Sequence, residues 1–253
     1  MIVIEVLIGL VIAALIGLTG IGGGTVTGPV LIIVLGMAPA EAVGTALVFA
    51  TIVKLLVVPV YLARRQVDFN VAGWMLIGGL PGVVVGGLLL DRLASGTHDH
   101  RWLYLLLGLS IVLAAGLNVY RLVAAKPNAE MTRGRPRLLA LLMLPVGAET
   151  GFSSAGSGAL GSLAMLGLTS LSAAQVVGTG IFFGLLLSVV GGGIQVLSGH
   201  FALHTLIMLM VGGVVGAYLG TTLALKIPSR PLKWGLAIWL AALGAQLCWR
   251  GIT

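Results

Sequence analysis

The sequence predicts an all-α polytopic membrane protein whose two homologous halves form an inverted repeat, each half a glycine-interrupted helical hairpin plus three transmembrane helices. Three observations predict it: an apolar composition, a self-match at one constant offset, and basic residues concentrated in loops that alternate between sides. The 253 residues are 58% hydrophobic and 8% charged, with a mean hydropathy of +1.15, against roughly 45–50% apolar residues in soluble domains. Runs such as 71–90 and 103–120 reach or approach the ~20 apolar residues with which a helix crosses ~30 Å of hydrocarbon. They lack the period-two alternation of barrel strands.

The elements follow in order. The run 2–18 carries Glu5, has no basic residue ahead of it and lacks a small-residue cleavage site, so it reads as retained structure and not a secretory signal. The break "GIGGGT" (20–25) separates it from a second short run, 26–35, and three longer runs follow at 42–62, 69–90 and 102–120. Sliding the chain against itself by 134 positions places Gly17 on Gly151, Gly22 on Gly156, Gly24 on Gly158, and Val43-Gly44-Thr45 on Val177-Gly178-Thr179. Gly78, Gly79, Gly82 and Gly86 fall on Gly212, Gly213, Gly216 and Gly220. Repetition at a fixed period marks a duplicated unit. The second half reads as 138–148, the break "GFSSAGSGA" (151–159), 159–168, 173–197, 201–225 and 232–249. The domain division is a first transmembrane repeat over 1–122, a basic cytoplasmic linker over 123–136 and a second repeat over 137–253.

Charge sets the orientation. Arg64 and Arg65, the linker cations Lys126, Arg133 and Arg135 with their neighbours Arg121 and Arg137, and the group Lys226, Arg230 and Lys233 mark cytoplasmic loops. The counterparts of the first and last of these loops carry no basic excess, since "SGH" at 198–200 has no Lys or Arg and 91–101 has two residues of each sign, so matching loops fall on opposite sides. Inverted halves of this kind occur in secondary transporters, whose sites lie where interrupted helices meet. The net charge of +7 therefore reflects topology in a lipid bilayer, and no nucleic-acid partner is expected.

Non-helical backbone at membrane depth survives only where it is buried in protein or lines a watery cavity. The two breaks therefore predict paired loops, each followed by a helix N-terminus whose free N–H groups and partial positive charge attract an anion. The candidate substrate-binding residues are Thr19, Gly22, Gly23, Gly24 and Thr25 in the first half, and Ser153, Ser154, Gly156, Ser157 and Gly158 in the second. Gly44-Thr45 and Gly178-Thr179 lie about a turn inside helices opened by Pro39 and by the capping box of Ser172 and Gln175. Their hydroxyls can face the cavity or bond back to their own helix. Gly78, Gly79, Gly82 and Gly86 share one helical face and read as packing.

Two ionisable residues lie within apolar runs, Lys54 in "ATIVKLLVVP" and Glu149 in "VGAETGF", and neither repeats, since they align with Ser188 and Leu15. Such residues are functional candidates: Lys54 for attracting an anion or snorkelling, Glu149 for carrying a coupling proton. Glu41 reads as a helix-start residue and Glu5 as lying near an interface. A single cysteine, Cys248, and four histidines without HExxH spacing offer no metal site, and no nucleophile-base pairing points to a catalytic residue, an enzyme or a cofactor.

At "GLTGIGGGTVTGPVL" followed by "AVGTAL", and at "GFSSAGSGAL" followed by "VVGTG", the chain resembles the TauE/SafE family of sulfite and organosulfonate exporters. The resemblance covers essentially the whole chain and implies export of a small sulfur oxyanion across a bacterial-type cytoplasmic (inner) membrane by a multi-pass carrier. The second motif departs from the family pattern, reading "AGSGA" where a triple glycine and a nearby proline are usual. An anion channel and a sulfur-oxyanion importer are the rival functions, and the sequence leaves open the coupling ion and whether the chain forms a homodimer.

Overall fold

The structure is a computed structural model that describes residues 2–19, 24–96, 101–124, 136–223, 239 and 241–249. These form α1 (Ile2–Thr19), α2 (Gly24–Val34), α3 (Pro39–Ala63), α4 (Phe69–Gly96), α5 (Arg101–Ala124), α6 (Pro136–Ser153), α7 (Gly156–Leu168), α8 (Ala173–Leu197) and α9 (Leu203–Leu223). A further helical stretch, α10, runs over 241–249. Among the described residues there is no strand. Helices α3, α4, α8 and α9 are long and apolar enough to cross a membrane. Most of the linker predicted over 123–136 lies outside the described residues.

Local chemistry sets the helix starts. Pro39 opens α3 after an extended Ala38, and its fixed φ suits a first helical position. The Ser172 hydroxyl accepts from the Gln175 N–H at 3.3 Å while Gln175 Oε1 accepts from the Ser172 N–H at 3.0 Å, closing the predicted capping box at α8. The Asp68 carboxylate accepts from the Val71 N–H at 3.0 Å and caps α4.

The duplication is visible in the helix boundaries and in the packing. Helices α6, α8 and α9 each begin 134 residues after α1, α3 and α4. Helix α4 packs along α6 in the same direction, with Gly78, Gly82 and Gly86 against the carbonyl groups of Ala140, Leu144 and Ala148. Helix α9 packs along α1 in the same way, with Gly212, Gly216 and Gly220 against the carbonyls of Val6, Leu10 and Ala14. Each of these three contacts in one pair maps onto the other at the offset. A Cβ at any of these glycines would overlap a carbonyl oxygen, so the close approach requires glycine. Phe183 stacks on Gly79, and its counterpart Phe49 on Gly213.

Helices α3 and α8 meet at the centre. Gly44 lies by Gln195, Leu47 by Gly191 and Lys54 by Gly184, so these equivalent helices run antiparallel. At their ends the Gly-Thr pairs clasp the opposite half. Thr45 Oγ1 accepts from the Ala202 N–H, and Thr179 Oγ1 from the Asp68 N–H, both at 2.9 Å. Gly44 abuts the His200 carbonyl and Gly178 the Gln66 carbonyl. The expectation that Thr45 and Thr179 turn their hydroxyls to a cavity or to their own helix is thus corrected: each satisfies the N–H of a loop that precedes a helix of the other half.

The second break is shorter than its sequence suggests. The loop expected over 151–159 contracts to Ser154 and Ala155, because α6 runs on to Ser153 and α7 starts at Gly156. The helix continues through Gly151 because that glycine is packed against the α4 backbone at Val83 and Gly87. Ser154 makes the turn with φ +65°, a left-handed conformation that suits glycine better than serine. Beyond it α7 doubles back along α6, and Leu142 with Leu168, Pro145 with Ala164 and Glu149 with Leu160 line one cavity between them. Glu5, expected near an interface, is buried at 4% exposure.

Three outcomes follow for thermal unfolding in detergent. Gly82→Leu and Gly216→Leu push paired helices apart and lower stability by about 1–3 kcal/mol or more, while Val85→Leu, on the outer face of α4, leaves the melting temperature unchanged. Thr45→Val and Thr179→Val each leave a backbone N–H without its acceptor and lower stability by about 1–3 kcal/mol; equal melting temperatures with wild type would remove the clasp. Ser154→Gly keeps or raises the melting temperature, whereas Ser154→Val, β-branched at positive φ, lowers it by about 1–3 kcal/mol.

Candidate functional site

The site is built around the N-terminal turn of α7. Lys54 leaves the middle third of α3 with 2% of its surface exposed, and its Nζ donates to the Gly184 carbonyl of α8 at 2.9 Å. A Cβ placed on Gly184 would stand 3.0 Å from Lys54 Nζ and 3.2 Å from Ser157 Oγ, so the bare backbone lets an ammonium and a hydroxyl converge. An ammonium has three N–H groups, and the Gly184 carbonyl takes one. Ser157 is the second residue of α7, where backbone N–H groups lack partners within the helix and the dipole presents partial positive charge. The Lys54 amine, the Ser157 hydroxyl and the first turn of α7 thus converge beside Gly184. That combination suits an oxyanion.

Glu149 occupies the other side of the same turn. The Ser153 hydroxyl donates to Glu149 Oε1 at 2.6 Å, and Ser153 Oγ accepts from the Ala155 N–H at 3.2 Å. The serine therefore ties the carboxyl group to the break. Glu149 Oε2 is buried without a hydrogen-bond partner among the described residues and rests against Gly156, the first residue of α7. Thr150, one residue on, is occupied by the Val146 carbonyl of its own helix at 2.7 Å. No ion pair joins Lys54 to Glu149 among the described residues; His200 Nδ1 lies 3.7 Å from Asp91 Oδ1 near the start of α9.

A cavity of about 630 Å³ opens beside Glu149 between α5, α6 and α7, lined mainly by leucines, with Ser110 from α5. From the other half, Gly28 of α2 lies 3.2 Å from Ser154 Oγ and 3.5 Å from the Ser153 carbonyl when given a Cβ. The two halves therefore meet at the second break.

The structure brings together Lys54, Ser153, Ser154, Gly156, Ser157 and Glu149 about the start of α7, with Gly158 in its first turn. Thr45, Gly44, Thr179 and Gly178 stand apart, at the inter-half clasps. Of the first-half residues, Gly22 and Gly23 and the side chains of Thr19 and Thr25 lie outside the described residues, and Gly24 is the first residue of α2. Ser188, the counterpart of Lys54, donates to the Leu185 carbonyl of its own helix at 2.9 Å, so the buried cation has no equivalent.

Sequence reasoning missed Gly184, because its repeat partner is Ala50 and only glycines matched in both halves drew attention. It also missed Gln195, fully buried, whose Nε2 donates to the Gly87 carbonyl at 3.2 Å and whose Oε1 lies 3.3 Å from His200 Nδ1. The signal was present in both cases: a glycine facing a buried lysine, and a polar residue inside an apolar run.

The sulfite exporter TauE/SafE family profile matches residues 5–247. The chain is 32% identical over 249 residues to the probable membrane transporter protein YjnA of Bacillus subtilis (strain 168), covering 96% of this chain and 98% of that one. It is 25% identical over 271 residues to the probable membrane transporter protein YunE of the same organism, covering 99% and 98%. No solved structure matches the chain. A profile match over nearly the full length, together with helices long and apolar enough to span a bilayer, makes this an integral multi-pass membrane protein that belongs to the sulfite exporter TauE/SafE family.

Proposed function

We propose that this chain is a secondary transporter that exports a small sulfur-containing oxyanion, sulfite or an organosulfonate, across the cytoplasmic membrane by alternating access. The buried Lys54 ammonium beside Ser157 at the start of α7 carries the assignment. A sulfite or sulfonate has three acceptor oxygens, which match the spare ammonium donors, the hydroxyl and the backbone N–H groups of the first helical turn. The single cation binds such an anion without caging it, which a carrier needs if the anion is to leave.

The transport cycle proposed here uses the duplication. The reciprocal pairing of α1 with α9 and α4 with α6, and the antiparallel meeting of α3 and α8, support two repeats, 1–122 and 137–253, inverted in the bilayer and joined by a cytoplasmic linker over 123–136. In that arrangement, rocking of one scaffold against the other exposes the α7 turn to each side alternately. Lys54 on α3 and Gly184 on α8 belong to different halves, so the hydrogen bond between them spans the boundary that must move.

Uptake or release of labelled sulfite and methanesulfonate by proteoliposomes tests the assignment. Wild type gives saturable flux, and Lys54→Met, which deletes a charge-assisted donor worth about 1.5–3 kcal/mol, lowers apparent affinity by about ten- to a hundredfold. Unchanged flux in Lys54→Met would remove Lys54 from the site, and flux linear in concentration would indicate a channel.

A further inference from the structure

Resting on the anion site just described, we infer that Glu149 is a proton-binding group coupled to that site: protonation of Glu149 and occupancy of the α7 turn by an anion favour each other, so proton and anion are carried together. The geometry is the reason. Glu149 Oε2 lies against Gly156 and Ser157 Oγ lies toward Lys54, so the carboxyl group and the anion would address the same first turn of one 13-residue helix. One helix N-terminus offers about half a positive charge. It cannot stabilise a carboxylate and a substrate anion at once.

The groups facing Glu149 leave no other charge to resolve that competition. On α6 itself, Ser153 donates to Oε1 and the Thr150 hydroxyl is held by Val146. Helix α5 brings Ser110 to the adjoining cavity, α7 brings Ser157, α8 brings the Gly184 backbone and α2 brings Gly28. Helix α4 passes through Gly86 and Gly87; Asp91, a turn further, is engaged by His200, and Arg92 is exposed. Lys54 is the ionisable group at the α7 turn besides Glu149 among the described residues. Among the described residues Glu149 Oε2 has no donor directed at it. A proton satisfies that oxygen and removes the negative charge that opposes the anion.

Coupling of this kind is reciprocal: if a proton on Glu149 raises anion affinity, the anion raises proton affinity by the same factor. The two ligands then cross in the same direction, and the product of their gradients sets the net flux.

The test uses purified full-length protein in detergent and methanesulfonate, an anion whose own charge stays fixed. Binding is followed calorimetrically across about pH 5 to 9, and proton exchange on binding is read with an indicator in weak buffer. Wild type should take up as much as one proton per anion, with affinity falling by up to about tenfold per pH unit toward alkaline pH. Glu149→Gln should bind with up to one proton fewer taken up per anion than wild type at the same pH, and with a correspondingly weaker fall in affinity toward alkaline pH. Binding by wild type without proton uptake, or uptake in Glu149→Gln equal to that of wild type, would overturn the coupling and leave the anion site standing. Absence of saturable binding in both proteins at every pH would overturn the anion site and the coupling with it. Should Glu149→Gln fail to fold, the same comparison is made with Glu149→Leu, the residue found at the repeat position Leu15.

Discussion

Backbone-to-backbone contact between helices is the constraint on which the rest of the molecule depends. In hydrocarbon, helices gain little from burying apolar side chains against each other, so their association rests on close packing. Here it is achieved by glycines laid on carbonyl groups along α4 and α6, and again along α1 and α9. Beside these two parallel pairs, the inter-half clasps at Thr45 and Thr179 fix the loops that lead into α9 and α4. Both the packing and the clasps cross between the sequence halves. Neither half has a complete scaffold of its own.

That exchange explains where the break can form. Helix α6 is held by α4 as far as Gly151, and its backbone stays helical there despite the glycine. Past Ser153 the support ends, and one left-handed residue turns the chain back into α7. The start of α7 is consequently buried in protein, beside α8, α2 and α6, as irregular backbone at membrane depth must be. A hydrophilic first turn at that depth then has partners from three helices, with Lys54 of α3 reaching it from the opposite half.

Much of this was legible in the sequence, and the failures have physical causes. The start of α8 at Ala173 was readable because Ser172 and Gln175 cap it reciprocally, and that of α4 at Phe69 because an apolar run begins there. The stripe Gly78, Gly82, Gly86 was readable as packing because its spacing repeats a helical face. The break was misjudged because glycine and serine content alone does not distinguish a loop from a helix whose small residues are pressed against a neighbour. The Gly-Thr pairs were misassigned for a related reason. A repeated hydroxyl near a helix start suits a ligand, but it equally suits a loop N–H from the other half, and only the pairing of α3 and α8 reveals which N–H arrives. Gly184 went unnoticed because a residue unique to one half leaves no trace in a self-comparison.

The same blind spot points to how a duplicated scaffold supports directional chemistry. Contacts that maintain architecture occur twice: Gly82 with Leu144 and Gly216 with Leu10, Phe183 on Gly79 and Phe49 on Gly213, Thr45 to Ala202 and Thr179 to Asp68. The groups with charge do not. Lys54 aligns with a serine bonded to its own helix, and Glu149 aligns with Leu15. Among the described residues these two side chains converge on the start of α7, apart from the repeated packing contacts. Separating the two roles also lets residues such as Lys54 and Glu149 be substituted with little effect on the scaffold, because neither contributes to the glycine seams or to the clasps.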